Sequence, residues 1–327
     1  MRVRGAIGVR NGADVIEAAV RHNLAAMDGV VVLAHGATDA TPAILDALVA
    51  EGLPVTVVRD DDPAPEPTAL AARLLREGFA DGTADWVIVL DAADFLRPAS
   101  RQAVLRAMTG ADVAVPVAIP CATYVPDFAL PGTDASSDPP APLAAARRLA
   151  VEPHPATRLA ASRSFAGREA EALATRRAPV AASVLAVARV PVRSREQLVA
   201  DCTVGRLAAL AAGRPEPDGS WVDAVYREAR AGRPLPPAFV DAAAVNAGAA
   251  RAQWVDPATV ARVDDPFLAP VALSHTPPRA PFPLAQVLAL GERLARSEAV
   301  RAQAQLLHGA DAGAALARPA TGQGPPR

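Results

Sequence analysis

The sequence predicts an α/β fold with a mostly parallel sheet flanked by helices, followed by a helical C-terminal extension. Over the first 120 residues, short apolar runs alternate with segments in which apolar residues recur at helical spacing. The run at 29–34 carries no polar side chain, as expected of a strand that is covered on both faces. Strand–helix alternation with short connections is typical of a parallel sheet.

The first half of the chain is predicted to hold five strands and four helices. We expect the strands at 4–9, 29–34, 54–58, 86–90 and 112–117. We expect the helices at about 13–24, between Thr41 and Gly52, at 68–78 and at 100–108. The segment 60–67 is predicted to be a loop, because prolines at that density exclude regular structure.

Beyond residue 125 the pattern is weaker. Residues 143–175 are expected to be helical, 184–192 to form a strand, and Ser194 to cap a helix that runs to about Ala212. Further helices are predicted at 221–231 and 281–307, and the latter could serve self-association. We therefore divide the chain into a first α/β half, a second half with a weaker pattern, a helical C-terminal extension and a disordered tail, at 1–125, 126–215, 216–310 and 311–327.

Composition excludes several classes of protein. Hydrophobic residues make up 51% of the chain, but no run of about 18 apolar, uncharged residues occurs, so no integral membrane segment is predicted. The N-terminus lacks the pattern of a signal peptide, and we expect a cytoplasmic protein. The net charge of −2 argues against a nucleic-acid partner. Cys121 and Cys202 are expected to be buried free thiols.

The clearest candidate for chemistry is the end of the fourth strand, where Asp91 and Asp94 follow an apolar run. Carboxylates there are costly unless they meet a cation or hydrogen-bond donors, and Mg²⁺ or Mn²⁺ prefers carboxylate oxygens. The alternative is structural: Asp91 merely ends the strand and Asp94 caps a turn. The local pattern leaves both interpretations open.

Other polar residues follow the neighbouring strands. Ligands of open α/β sheets bind at the carboxyl ends of the strands, which directs attention to Arg10 with Asn11, the turn from His35 to Asp39, and Arg59. Each has a plain alternative, because Asp39 could only cap the next helix and the arginines could be surface charges.

Taken in order, these segments resemble glycosyltransferase family 2, the inverting enzymes of GT-A fold. The matching segments are V-R-N-G-A-D at 9–14, A-H-G-A-T-D-A-T at 34–41, L-D-A-A-D-F-L at 90–96 and V-P-V-R-S-R-E-Q-L at 190–198. The resemblance covers about residues 3 to 125 and the short later segment. It implies a GT-A-like sheet, with 1–125 as the nucleotide-sugar-binding half and 126–215 as the acceptor-side half.

The resemblance also implies a ligand and a cofactor. Asp91 and Asp94 would hold a Mg²⁺ or Mn²⁺ ion on the diphosphate of a nucleotide sugar. The nucleotide sugar would be lined by Arg10, Asn11, His35, Asp39, Arg59, Asp91 and Arg189. Inversion needs a general base at the acceptor hydroxyl, and no residue is assigned to that role.

The chain departs from the family pattern at several positions of the expected site. Ala93 stands where the family has its middle metal-binding aspartate, which weakens the metal site or leaves no metal at all. Ala34 replaces an acidic residue, Ala37 a small hydroxyl residue and Gly12 a glutamate. Arg189 stands where the later segment often has histidine; it could supply positive charge to a diphosphate without metal, or it could equally be a surface residue.

Three functions are compatible with these observations. The first is transfer of a sugar from a nucleotide-diphosphate donor to a glycan or lipid-linked acceptor hydroxyl, with inversion, in polysaccharide biosynthesis. The second is a catalytically inactive, glycosyltransferase-derived module that binds a nucleotide or a protein. A third, another nucleotide-using enzyme such as a nucleotidyltransferase, lacks support because no glycine-rich, lysine-bearing phosphate loop occurs.

Overall fold

The computed structural model confirms the α/β fold class. It describes residues 1–60, 62, 65–128, 143, 146–211, 220–267, 273–276, 284, 286–291 and 294. Most of the expected helix at 281–307 and the expected disordered tail at 311–327 lie outside the described residues. The division into four segments stays a prediction.

The strands are short and lie mostly in the first two thirds of the chain. They are β1 (Val3–Val9), β2 (Gly29–His35), β3 (Val55–Asp60), β4 (Trp86–Asp91), β5 (Asp94–Arg97), β6 (Val117–Val125), β7 (Arg147–Leu149), β8 (Thr157–Ser162), β9 (Ala178–Pro179), β10 (Ala186–Arg189) and β11 (Arg262–Val263). The helices are α1 (Ile16–Leu24), α2 (Thr41–Ala50), α3 (Pro67–Phe79), α4 (Arg101–Thr109), α5 (Glu169–Ala174), α6 (Arg195–Ala211), α7 (Trp221–Arg230) and α8 (Pro237–Val245).

The sheet has the strand order β11-β7-β6-β8-β4-β1-β2-β3. The four strands β3, β2, β1 and β4 are parallel, whereas β8 runs antiparallel to both β4 and β6. β10 pairs in parallel with β6 and antiparallel with β5, away from the main path. The carboxyl ends of β1 to β4 and the first residues of β8 therefore lie along one edge of the sheet.

Helices cover both faces of the parallel strands, as the continuous apolar runs predict. Alternate strand residues point to opposite faces, so Ile7 and Ile88 pack with the residues of α1, α2 and α4, while Ala6 and Val87 pack with those of α3 and α5. The approach of α3 is close, because a Cβ on Gly78 would lie 2.6 Å from Cγ1 of Val87.

Two expectations about secondary structure were wrong. In its described residues the segment 143–175 contains β7 and β8, a 3-10 turn at Arg163–Phe165 and the short α5, so it is not mainly helical, and the strand expected at 112–117 begins at Val117 as β6. The segment that forms β8 is rich in alanine, which favours helices, but its pairing with β4 and β6 overrides that weak local preference.

Other expectations are confirmed. Ser194 caps α6, since its Oγ accepts a hydrogen bond of 3.0 Å from the backbone N–H of Gln197. Cys121 and Cys202 are buried free thiols. Within the described part of the chain, no helix is long and apolar enough to cross a membrane.

Candidate functional site

The expected polar residues do follow the strands along one edge of the sheet. Gly8 of β1 is in register with Asp91 of β4, and on the other side of β1 Val9 is in register with Ala34 of β2. His35, the last residue of β2, is in register with Asp60, the last residue of β3. Parallel pairing brings the four strand ends together, as predicted for an open α/β sheet.

An ion cluster lies at the end of β4. The backbone N–H of Asp91 donates to Oδ2 of Asp94 at 2.7 Å, and Nη2 of Arg158 donates to Oδ1 of Asp94 at 3.1 Å. Arg158 also donates through Nε to Asp94 and through Nη2 to Oδ2 of Asp91. The side chain of Asp94 is 1% exposed, that of Arg158 is 20% exposed and that of Asp91 is 70% exposed. One guanidinium therefore joins the two carboxylates that were expected to hold a metal.

The electrostatics of this cluster follow from its burial. Burial raises the pKa of Asp94, and the charge of Arg158 opposes that rise. Burial alone would lower the pKa of Arg158, but the charges of Asp94 and Asp91 raise it above its ordinary value. Arg158 is thus a permanent cation in the cluster.

These residues do not fit a divalent metal as they are arranged. Both oxygens of Asp94 accept hydrogen bonds from N–H groups, and Ala93 offers no side-chain oxygen. Among the residues that the structure describes, no group of three His, Cys, Asp or Glu side chains could hold a metal ion. Ligation of Mg²⁺ or Mn²⁺ would require Arg158 to leave.

Asn11 holds the turn between β2 and α2. Its Nδ2 donates to Oγ1 of Thr38 at 2.9 Å and to Oε1 of Gln286 at 2.9 Å, and its Oδ1 accepts from the backbone N–H of Thr38 at 2.8 Å. Gln286 is buried and comes from the C-terminal part of the chain. The amide of Asn11 thus joins the first two strand ends and a distant segment.

Asp39 joins the loops that follow β1 and β2. Its Oδ2 accepts a hydrogen bond from the backbone N–H of Ala13 at 3.0 Å, and its Oδ1 accepts one from the backbone N–H of Thr41 at 2.9 Å. Burial raises the pKa of this carboxyl. These contacts agree with the structural alternative for Asp39, a residue that stabilises the start of α2.

His35 lies at the end of β2 in a half-buried position. Burial, together with the charge of Arg10, lowers its pKa to about 4. Its Nδ1 is buried and has no hydrogen-bond partner within the described part of the chain. His35 is therefore a neutral imidazole near Arg10 at neutral pH.

Two expected site residues direct their hydrogen bonds elsewhere. Arg59 forms an exposed ion pair with Asp46 of α2 at 2.5 Å. Arg189 donates through Nε to Oγ1 of Thr123 at 3.1 Å and through Nη2 to the carbonyl of Ala247 at 3.0 Å.

Arg189 nevertheless stands close to the ion cluster, because it is in register with Asp94 where β10 pairs with β5. Burial raises the pKa of Cys121 to about 11, and the charges of Arg158, Asp94, Arg189 and Asp91 also act on this thiol. A second positive charge thus stands near the cluster, and the role of Arg189 at a diphosphate stays a prediction.

Sequence reasoning missed two arginines that form ion pairs with acidic residues near the strand ends. Arg158 was missed because nothing near it in the chain marks it, and only the pairing of β8 with β4 brings it to Asp91. Arg193 donates through Nε to Oδ2 of Asp14 at 2.6 Å and through Nη2 to Oδ1 at 3.0 Å. That pair joins the first and last of the four segments that resemble the family. Because both residues lie in those segments, the sequence could have pointed to their contact.

A cavity of about 360 Å³ opens beside Arg10. Its walls come from the end of β1, the segment before α6, and the helices α6, α7 and α8; they include Gln197, Asp201, Cys202 and Trp221. Burial raises the pKa of Asp201, while the charges of Arg193 and Arg10 oppose the rise. The sequence did not predict this cavity.

No protein-family model and no curated protein matches the sequence. Among solved structures, TarS from S. aureus is 13% identical with a TM-score of 0.35, covering 74% of this chain and 43% of its own. TarS residues 1–349 in complex with UDP are 17% identical with a TM-score of 0.26, covering 33% of this chain and 31% of that chain.

A third solved structure is glucosyl-3-phosphoglycerate synthase from Mycobacterium tuberculosis in complex with Mg²⁺ and UDP. It is 18% identical with a TM-score of 0.26, covering 36% of this chain and 42% of that chain. This chain thus spans less than half the length of each of the three. Because all three TM-scores lie below 0.5, the fold assignment rests on the strand order and pairing of the chain itself.

Proposed function

We propose that this chain is a glycosyltransferase-like protein that binds a nucleoside-diphosphate sugar at the edge formed by the ends of β1, β2 and β4. The proposed reaction is transfer of the sugar to an acceptor hydroxyl with inversion. The observation that carries the proposal is the charged end of β4, where Asp91, Asp94 and Arg158 meet beside the polar ends of two parallel strands. Ligands of open α/β sheets bind at this edge.

Further support comes from the four ordered segments that resemble glycosyltransferase family 2. The UDP complexes among the structurally similar proteins are compatible with such a ligand. Within the proposed site, Arg10 and Asn11 lie beside the nucleotide, and Arg158 and Arg189 lie near the diphosphate. An arginine suits this role because its planar donors can bind phosphate oxygens in pairs.

Calorimetric titration with UDP and GDP, each in EDTA and in Mn²⁺, tests the proposal directly. We expect saturable binding of at least one nucleotide, and slow hydrolysis of the matching nucleotide sugar. Absence of binding and of turnover across the common nucleotide sugars would reject the proposal.

A second candidate is a catalytically inactive module that keeps nucleotide binding. The specific observation in its favour is that Ala93 offers no ligand while Arg158 joins the two neighbouring carboxylates. Asp91→Ala separates the candidates: an enzyme loses donor turnover, whereas an inactive module shows none in either form. Asp85→Ala, at the opposite end of β4, is the matched control, and a loss of turnover there would show a general defect.

A further inference from the structure

The position of Arg158 follows from strand direction. β8 runs antiparallel to β4, with Ile88 opposite Ala160, so continuing this register by two residues brings Arg158 level with Leu90. The next residue of β4 is Asp91. A side chain at the start of β8 therefore reaches the edge of the sheet where the ends of the parallel strands lie.

The guanidinium of Arg158 forms ion pairs with the two carboxylates of Asp91 and Asp94. Asp94 is almost completely buried, and a buried carboxylate must be paired with a cation or with donors. Arg158 brings Asp94 a positive charge and two hydrogen-bond donors, Nε and Nη2. Its Nη2 also donates to Asp91. A planar fork of donors matches the geometry of carboxylates.

We propose that Arg158 takes the place of a divalent cation in this site, so that the chain binds the diphosphate of its nucleotide without metal. The inference rests on the proposed function. Arg158 neutralises one carboxylate charge and holds the end of β4, while its third nitrogen is available to donate to a phosphate oxygen. In the described part of the chain, Nη1 makes no hydrogen bond, and the side chain stays partly exposed.

The two carboxylates require a second cation. Asp91 and Asp94 together carry two negative charges, and a single guanidinium offsets only one of them, before the charge of a diphosphate is counted. Arg189 of β10 is in register with Asp94 of β5, so it stands beside the cluster and supplies further positive charge near the diphosphate. The proposal therefore makes Arg158 a diphosphate-binding residue and Arg189 its electrostatic support.

The test has two independent measurements on the whole chain. Binding of Mn²⁺ alone is followed by electron paramagnetic resonance, and binding of UDP is followed by calorimetry in EDTA and in millimolar Mn²⁺. For the wild type we expect no bound Mn²⁺ and a UDP affinity that differs by less than about twofold between the two buffers. Arg158→Ala should gain Mn²⁺ binding, and its UDP binding should become dependent on Mn²⁺.

Arg158→Lys keeps a charge but loses the fork, and we expect it to bind UDP about tenfold more weakly in EDTA. The matched control is Arg163→Ala. Arg163 follows the last residue of the same strand and pairs with Asp85 at the opposite edge of the sheet, at 3.6 Å. It should leave UDP and Mn²⁺ binding unchanged.

Three results would overturn the inference. They are stoichiometric Mn²⁺ binding by the wild type that Asp91→Asn abolishes, UDP binding that requires Mn²⁺, and an Arg158→Lys protein that binds UDP as tightly as Arg163→Ala. Should Arg158→Ala not fold, as judged by thermal unfolding, the wild type and Arg158→Lys still decide the question. Failure of the wild type to bind any nucleotide would reject the proposed function and the diphosphate role together, while the Mn²⁺ measurement would still decide whether Arg158 excludes the metal.

Discussion

The buried carboxylate of Glu17 on α1 provides the sharpest prediction about stability. It accepts hydrogen bonds from three consecutive backbone N–H groups, those of Ser274 at 2.9 Å, His275 at 2.9 Å and Thr276 at 2.7 Å. Oγ1 of Thr276 donates to it at 2.8 Å, and Nε of Arg21 donates at 3.0 Å. One carboxylate therefore holds a segment more than 250 positions away in the sequence.

The magnitude follows from the pKa of this group. Burial would raise the pKa of Glu17, but the backbone N–H groups of Ser274 and His275, with Thr276 and Arg21, lower it from 4.5 to about 2. Such a difference in pKa stabilises the folded state by roughly 3 kcal/mol at neutral pH. Because the folded pKa is depressed, this stabilisation is present above about pH 4.5 and is lost as the pH falls toward 2.

Replacing Glu17 by Gln should release the segment, because a neutral amide accepts these hydrogen bonds more weakly than a carboxylate. The assay is hydrogen exchange of the backbone amides at 274–276, measured at neutral pH. In Glu17→Gln we expect these amides to exchange about 100-fold faster than in the wild type. The matched control is Glu171→Gln, which removes an exposed ion pair with Arg168 and should leave the exchange at 274–276 unchanged.

Unchanged protection at 274–276 in Glu17→Gln would refute the reasoning, since it would mean that the carboxylate charge does not hold the segment. The shift from 4.5 to about 2 implies that most of this stabilisation is lost by pH 2.5. Wild-type protection at pH 2.5 equal to that at pH 6 would therefore contradict it. Equal loss of protection in both variants would point to a general loss of stability instead.

Two further predictions concern packing and ion pairing. Asp14→Asn leaves the buried Arg193 beside a neutral amide and should lower the free energy of unfolding by about 3–5 kcal/mol, measured by urea titration; an unchanged midpoint would contradict it. Gly78→Ala places a Cβ 2.6 Å from Val87 and should cost about 1–3 kcal/mol by the same measurement. Gly110→Ala, where the nearest atom lies 3.9 Å away, is its control, and equal losses in the two alanine variants would reject the packing argument.

Much of the first half of the fold could be predicted because its signals are local. The apolar run that became β2 and the helical spacing that became α3 are complete within a dozen residues. The alanine-rich segment that became β8 carries no such signal, since alanine prefers helices and the strand is selected by its partners β4 and β6. Prediction failed where the decisive contacts are long-range.

The candidate site divides in the same way. Asp91, Asn11, His35 and Asp39 were located because a parallel sheet brings the ends of its strands to one edge. The contacts of those side chains could not be predicted, because their partners are distant in the sequence. Asp39 accepts a hydrogen bond from the backbone N–H of Ala13, and Asn11 donates one to Gln286.

The alternation of strands and helices, and with it the edge of the sheet where polar residues gather, follows from local sequence patterns. Which cation meets Asp91 and Asp94 depends instead on long-range pairing, since Arg158 lies on an antiparallel strand, 64 positions beyond Asp94. The physical reason is that backbone preferences act over a few residues, whereas a buried charge is satisfied by whichever partner the folded chain brings within hydrogen-bonding distance.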